Sequence, residues 1–174
     1  MKKIFLLLSV VGLFTFSSCN DDDPVVNEYY FEAEVFELNN VPFSLNTSNG
    51  VYESFYPLNP PILFADMVLV YRLAGIDNGR DVWELVPRTL YYTDGGFVDI
   101  DYNFTTNDIL FTMAANFDLA TRPELTRGQV FRVVIIPGFD NTAAAPRALD
   151  TNYDYEHIVK KYNIKESDIK QLTK

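Results

Sequence analysis

The chain has 174 residues, 48% of them hydrophobic and 15% aromatic, with 24 acidic side chains against 14 basic ones and a formal net charge of −10. That length supplies one domain with a substantial core and excludes two comfortable ones. The acidic excess argues against nucleic acid or an anionic membrane surface as a partner, and a single cysteine excludes an intramolecular disulfide.

The N-terminus reads as an export signal. Lys2 and Lys3 are followed by a thirteen-residue apolar run, Ile4 to Phe16, and then by Ser17, Ser18 and Cys19. That run is too short for a helix crossing ~30 Å of hydrocarbon at 1.5 Å per residue. Small residues leading into a cysteine resemble the lipobox of bacterial lipoproteins, where diacylglycerol joins the thiol and cleavage frees the cysteine as the new N-terminus. An ordinary signal peptide with an incidental cysteine is the bland alternative. The run Asn20-Asp21-Asp22-Asp23-Pro24 resembles the signal that sends Bacteroidetes lipoproteins to the outer face of the outer membrane. It reads equally as a solvated tether, extended by charge repulsion and proline. The expected organisation is a signal peptide over 1–18, a lipidated acidic tether over 19–27 and one domain over 28–174. The expected location is the outer membrane, at the cell surface, with its periplasmic face as the alternative.

The body reads as β. Runs of aromatic and β-branched residues predict strands near Glu28–Leu38, Val41–Leu45, Val51–Tyr56, Met67–Leu73, Val82–Tyr92 (broken at Pro87), Phe97–Phe104, Ile109–Ala114 and Val130–Ile136. Asn-Gly pairs in 46–50 and 76–81, and Asp94-Gly95-Gly96, supply hairpin turns. About eight such strands without helical periodicity between them predict an antiparallel β-sandwich, or a small barrel. Met67 to Tyr71 and Val130 to Ile136 are apolar on both faces, so something beyond a two-layer sandwich must cover one side. Phe131, Val133 and Ile135 are expected inward. Val130, Arg132, Val134 and Ile136 are expected outward, with Arg132 snorkelling its charge to the edge.

The tail supplies the cover. Between Asn20 and Tyr153 the basic residues are seven arginines against twenty acids, whereas from Asp154 onward five lysines face four acids. Such a break marks a change of structural type. Tyr155, Ile158, Val159 and Tyr162 fall on one helical face, with Asp154 or Thr151 as cap and Asn163 as a left-handed stop. Ser167 to Leu172 reads as a second short helix, giving a C-terminal helical hairpin over 154–173. The segments Met67 to Tyr71, Val82 to Pro87, Phe131 to Pro137 and Tyr155 to Ile164 resemble those of small uncharacterised Bacteroidetes outer-membrane lipoproteins. The resemblance implies a lipid-anchored β-domain in the envelope and brings no activity or site residues.

Candidate chemistry is sparse. His157 is the single histidine, beside the helix's apolar stripe, and neither a metal site nor a Ser-His-Asp triad is expected around it. Ser167 to Lys170 matches a Ser-x-x-Lys string but lacks its companions. Asp99 and Asp101 alternate across Ile100, so both carboxylates share one face, as acid/base work on a glycoside or Ca²⁺ binding needs. The same pattern suits the wet face of a strand. Asp77, Asn78 and Asp81 make an oxygen-rich turn that reads as a hairpin loop. The tandem pairs Tyr29-Tyr30, Phe55-Tyr56 and Tyr91-Tyr92 must each turn one ring outward on a strand, where tyrosines can stack on sugars or anchor a protein interface. Tyr30, Tyr56 and Tyr92 are the ligand-facing candidates, and rim packing of these rings is the alternative. Trp83 is expected in the core. The expected function is a non-catalytic binding module for a glycan or an envelope protein, attached to the membrane through Cys19, with no cofactor. A structural subunit of an outer-membrane assembly, or a hydrolase built on Asp99 and Asp101, are the alternatives.

Overall fold

The computed structural model describes residues 33–138 and 151–173; the expected export signal and tether, and Tyr29-Tyr30, lie outside the described residues. Among these residues ten strands form: β1 (Glu34–Val41), β2 (Ser44–Asn46), β3 (Val51–Pro57), β4 (Met67–Asp77), β5 (Arg80–Val86), β6 (Arg88–Tyr91), β7 (Phe97–Phe104), β8 (Asp108–Ala115), β9 (Gln129–Ile136) and β10 (Lys170–Thr173). Two short helices accompany them, α1 (Pro123–Thr126) and α2 (Tyr155–Lys161). The strands make two five-stranded sheets, ordered β10-β1-β9-β4-β5 and β2-β3-β8-β7-β6. The result is the expected sandwich, mainly β.

Alternation along the strands builds the core between the sheets. Phe36, Leu38, Val68, Val70, Phe131, Val133 and Ile135 of the first sheet meet Val98, Ile100, Ile109, Phe111 and Met113 of the second. Phe111 and Phe131 bridge the layers at 4.8 Å between ring centroids. The Tyr102 hydroxyl, on β7, donates to the Val68 carbonyl of β4 at 2.8 Å, a polar tie across the same gap.

Proline decides where the chain changes sheet. Val82–Tyr92 was expected as one strand broken at Pro87, and it divides there into β5 on the first sheet and β6 on the second. The expected strand Val41–Leu45 is corrected. Val41 ends β1, Pro42 cannot donate to a ladder, and the chain crosses to begin β2 at Ser44. Asn40, left-handed at φ 56°, sits in the irregularity between Leu38 and Val41.

The two-faced strands are covered as anticipated. α2 lies on the outer face of the first sheet, where Ile158 joins Val35, Leu69, Tyr71 and Val134 in a second buried cluster. Asn163, at φ 50°, ends this helical segment as expected. The second helix does not form. Glu166–Asp168 is a single 3₁₀ turn, and Lys170–Thr173 extends as β10, parallel to β1 with Phe36 opposite Lys170. Six residues gain little from a helix, whereas the free edge of β1 offers a row of unmatched N–H and C=O groups.

Neighbouring registers define the two ends of the sandwich. Glu34 lies opposite Ile135 and Met67 opposite Ile136, so the start of β1, the end of β9 and the start of β4 share one end. The β3–β4 loop belongs to it as well, because Leu58 N–H donates to the Asn107 carbonyl and Ile62 N–H to that of Thr106, in the β7–β8 turn. The chain enters the domain at this end, at Ala33. The β4–β5 hairpin, with Asn78 and Gly79 at positive φ, marks the far end.

Candidate functional site

The two outer faces of the sandwich differ. That of the first sheet is closed by the chain's own tail. Arg132 stands at its centre and is buried, which corrects the expected snorkelling. Its Nη2 donates to Glu37 at 2.8 Å and to Glu166 at 2.7 Å, and its Nη1 donates to Glu166 and to the Tyr155 hydroxyl. The guanidinium lies 4.1 Å from the centre of the Trp83 ring. Burial pulls the Arg132 pKa down, but the bonds to Glu166, Glu37 and Tyr155 outweigh it and hold the charge more firmly than in water. This is a clasp between sheet and tail, with its donors satisfied and its charge compensated.

Among the described residues no element covers the outer face of the second sheet. Its residues follow from the register, since Ile109, Phe111 and Met113 point inward and their alternates outward. Tyr91 pairs with Phe97 at one corner, and Phe55 with Leu110 at the opposite one. Strand spacing and rise put the two corners roughly 25 Å apart on the diagonal. Tyr91 is 81% exposed and Phe55 53%. Between them lie Asp99, beside Thr89, and the cross-strand row Asp101, Thr112 and Glu53. Each carboxylate is held locally. Asp99 accepts from the Thr89 hydroxyl at 2.6 Å, Asp101 from the Tyr102 N–H at 2.7 Å, and Glu53 from the amides of Asn49 and Asn46 at 2.7 and 3.0 Å. The Asn49 amide first, and the Asn46 amide second, keep the Glu53 carboxyl below the usual carboxylate range. Fixed acceptors between aromatic corners suit the recognition of hydroxyl or amide donors. Acid/base work on a glycoside asks for something else, a desolvated carboxyl in a cleft opposite its partner.

Two of the ligand-facing candidates turn the other way. Tyr56 sits opposite the buried Ile109 and stacks on Phe36 at 5.5 Å. Tyr92 packs edge-on against Phe117, under the Arg122 guanidinium 4.7 Å from its ring centre. The two described pairs do expose one ring each, but the exposed members are Phe55 and Tyr91. The signal lay in Tyr52-x-Ser54-x-Tyr56, whose alternation puts Ser54 and Tyr56 on one face once Phe36 and Phe111 supply aromatic partners. Tyr30 lies outside the described residues. Trp83 is not in the inter-sheet core; it packs beneath the tail with Tyr155.

The remaining candidates stay apart. Asp77, Asn78 and Asp81 occupy the exposed far hairpin. Ser167 donates to Asp168 and Lys170 pairs with Glu34 at 2.9 Å, so the Ser-x-x-Lys string spans a turn and a strand instead of opening a helix. His157 is half-buried on α2, and no group of three or more His, Cys, Asp or Glu gathers among the described residues. Sequence reasoning missed a groove of about 650 Å³ beside the chain's point of entry, lined by Ala33, Val35, Ile164, Lys160, Lys161 and Lys165 among others. The lysine concentration in the tail was its signal. No protein-family model matches this chain, nor does a curated protein or a solved structure.

Proposed function

We propose that this chain is a lipid-anchored protein of the bacterial outer membrane, attached through Cys19, whose domain is a non-catalytic module that binds a glycan on the open face of its second sheet. The observation that carries this reading is the asymmetry of the sandwich. One outer face is sealed by the tail, while no element of the described residues covers the other, which carries an exposed aromatic ring at two opposite corners and oriented carboxylates between them. Aromatic faces stack on the C–H faces of sugar rings, and carboxylates accept sugar hydroxyls. An extended chain of sugars fits the long diagonal better than a small ligand does.

The test is calorimetric titration of the detergent-solubilised protein with cell-surface and dietary polysaccharides, repeated for Phe55→Ala and Tyr91→Ala. Each truncation of an aromatic anchor is expected to weaken binding by about tenfold or more, with the melting temperature unchanged. Tyr56→Ala is the contrast, expected to lower stability through lost packing on Phe36. Polysaccharide binding that survives loss of both Phe55 and Tyr91 would remove the open face from consideration.

A further inference from the structure

The β3–β4 loop carries two of the most exposed apolar side chains of the described residues, Leu63 at 73% and Phe64 at 95%. Exposure of that degree usually accompanies a loose loop, yet this one is built. Its shoulders are packed, with Leu58 and Ile62 against the core. Pro60 and Pro61 restrict its ascending limb. Its tip is a closed turn, in which Asp66 N–H donates to the Leu63 carbonyl at 3.0 Å while the Asp66 carboxylate accepts from Leu63 N–H at 2.8 Å. The second oxygen of that carboxylate accepts from Gly138 N–H at 3.0 Å, fastening the tip to the chain leaving β9. Met67 and Phe104, both substantially exposed, stand at the same end of the sandwich.

We propose that Leu63 and Phe64 form a wedge that seats in the lipid surface to which the chain is tethered. The inference rests on the reading of Cys19 as a lipid anchor. Two observations select a bilayer as occupant. First, the wedge lies at the end where the chain enters at Ala33, with thirteen residues between it and Cys19. Those residues can span at most roughly 45 Å, so this end is the one the tether draws toward the membrane. Second, this end carries a lysine-rich groove, with Asp168 also in its lining. Lys160, Lys161 and Lys165 line the groove beside Ala33, where lysines suit lipid phosphates. An apolar tip with a basic flank is the pattern of an interfacial anchor, which buries its apolar side chains ~5–10 Å into the headgroup–acyl boundary. A single membrane contact by the lipid would leave the domain free to tumble; a second fixes which way the open face of the sandwich looks.

The experiment uses the full-length lipoprotein in phosphatidylcholine vesicles, with an environment-sensitive fluorophore on Ala65→Cys at the wedge or on Ile76→Cys at the far hairpin. Ile76 is an apolar residue 71% exposed, so the two positions differ in location more than in character. Brominated acyl chains are expected to quench the label at 65 and not at 76. Adding Leu63→Ser and Phe64→Ser is expected to abolish that quenching without changing the melting temperature. Labelled palmitate is followed in parallel. Should it fail to incorporate, the anchor reading falls, and the same variants are docked by an N-terminal polyhistidine on nickel-chelating lipid so that the wedge is still read. No quenching at 65, or equal quenching at both positions, overturns the wedge and leaves the loop as a surface for a protein partner.

Discussion

Arg132 concentrates the electrostatic strain of the fold, because it and Glu37 are both withdrawn from water while Glu166, its third partner, remains exposed. The two ion pairs therefore differ in what their loss should cost. Arg132→Met leaves Glu37 without a partner in a buried site and is expected to destabilise by about 3–5 kcal/mol, whereas Arg132→Met with Glu37→Met should recover much of that. Glu166→Gln should cost no more than about 1 kcal/mol, since water replaces the lost partner. Chemical denaturation of the three variants measures this directly, and equal costs for Arg132→Met and Glu166→Gln would refute the buried clasp. Two tyrosines give a separate, pH-resolved signature. Burial raises the Tyr102 hydroxyl to about 12, and raises that of Tyr71 further still. The folded pKa values exceed the unfolded value near 10, so their contribution is complete below pH ~10 and is lost as pH climbs, through about 12 for Tyr102 and higher still for Tyr71. Tyr102→Phe should flatten that alkaline loss of stability, read from unfolding free energy against pH. The outward direction of Arg132 was legible from alternation alone. Its partner was not, because Glu37 lies 95 residues away and no local pattern joins them.

At the scale of elements, the tail shows what periodicity can and cannot reveal. The spacing of Tyr155, Ile158 and Tyr162 announced a helix with one apolar side, and the two-faced run of β9 announced the surface that would receive it. Val159, expected on the buried stripe, remains half-exposed, and Ile169 from beyond the helix takes a place in that cluster. The stretch from Ser167 to Leu172 was misread because its short apolar spacing fits a helix and a strand alike. The deciding influence was the open edge of β1, which belongs to the far end of the sequence. Removing the chain from Asp154 onward should uncover Leu69, Tyr71 and Val134, lower the melting temperature by several degrees or more, and expose dye-binding surface. Ile158 alone is worth about 1.5–3 kcal/mol of burial. Ending the chain after Ile169 separates the two roles of the tail. With Ile169 kept in place, this should leave the α2 cluster covered but bare the edge of β1, so that concentration-dependent aggregation rises with little new dye binding. Similar dye binding for both truncations would mean that α2 is not held in place without β10.

At the scale of the molecule, the class of fold and the need for a third layer were readable from composition, turns and alternation. The division of the outer surface into a sealed and an open face was not, because it depends on which sheet each of ten strands joins. The anchoring reading is tested at this scale too. Cys19→Ala is expected to abolish incorporation of labelled palmitate. Replacing Asp21, Asp22 and Asp23 by alanine is expected to move the protein from protease-accessible on intact cells to protected; unchanged accessibility would reduce the acidic run to a spacer. The position of β1 has a consequence of a different kind. It pairs on one side with β9 and on the other with β10, so Phe36 has Val133 and Lys170 as its neighbours. The first strand of the described residues thus has no partner until β9 has been synthesised, and gains its second only when the chain reaches β10. Closure of contacts so distant in sequence is slow, in the millisecond-to-second range of all-β domains. A chain passed N-terminus first through a narrow channel would meet that requirement naturally, with β1 left unpaired until β9 is delivered. Stop-flow refolding of the full chain and of the chain ending after Ile169 would show how much of that delay the final strand controls.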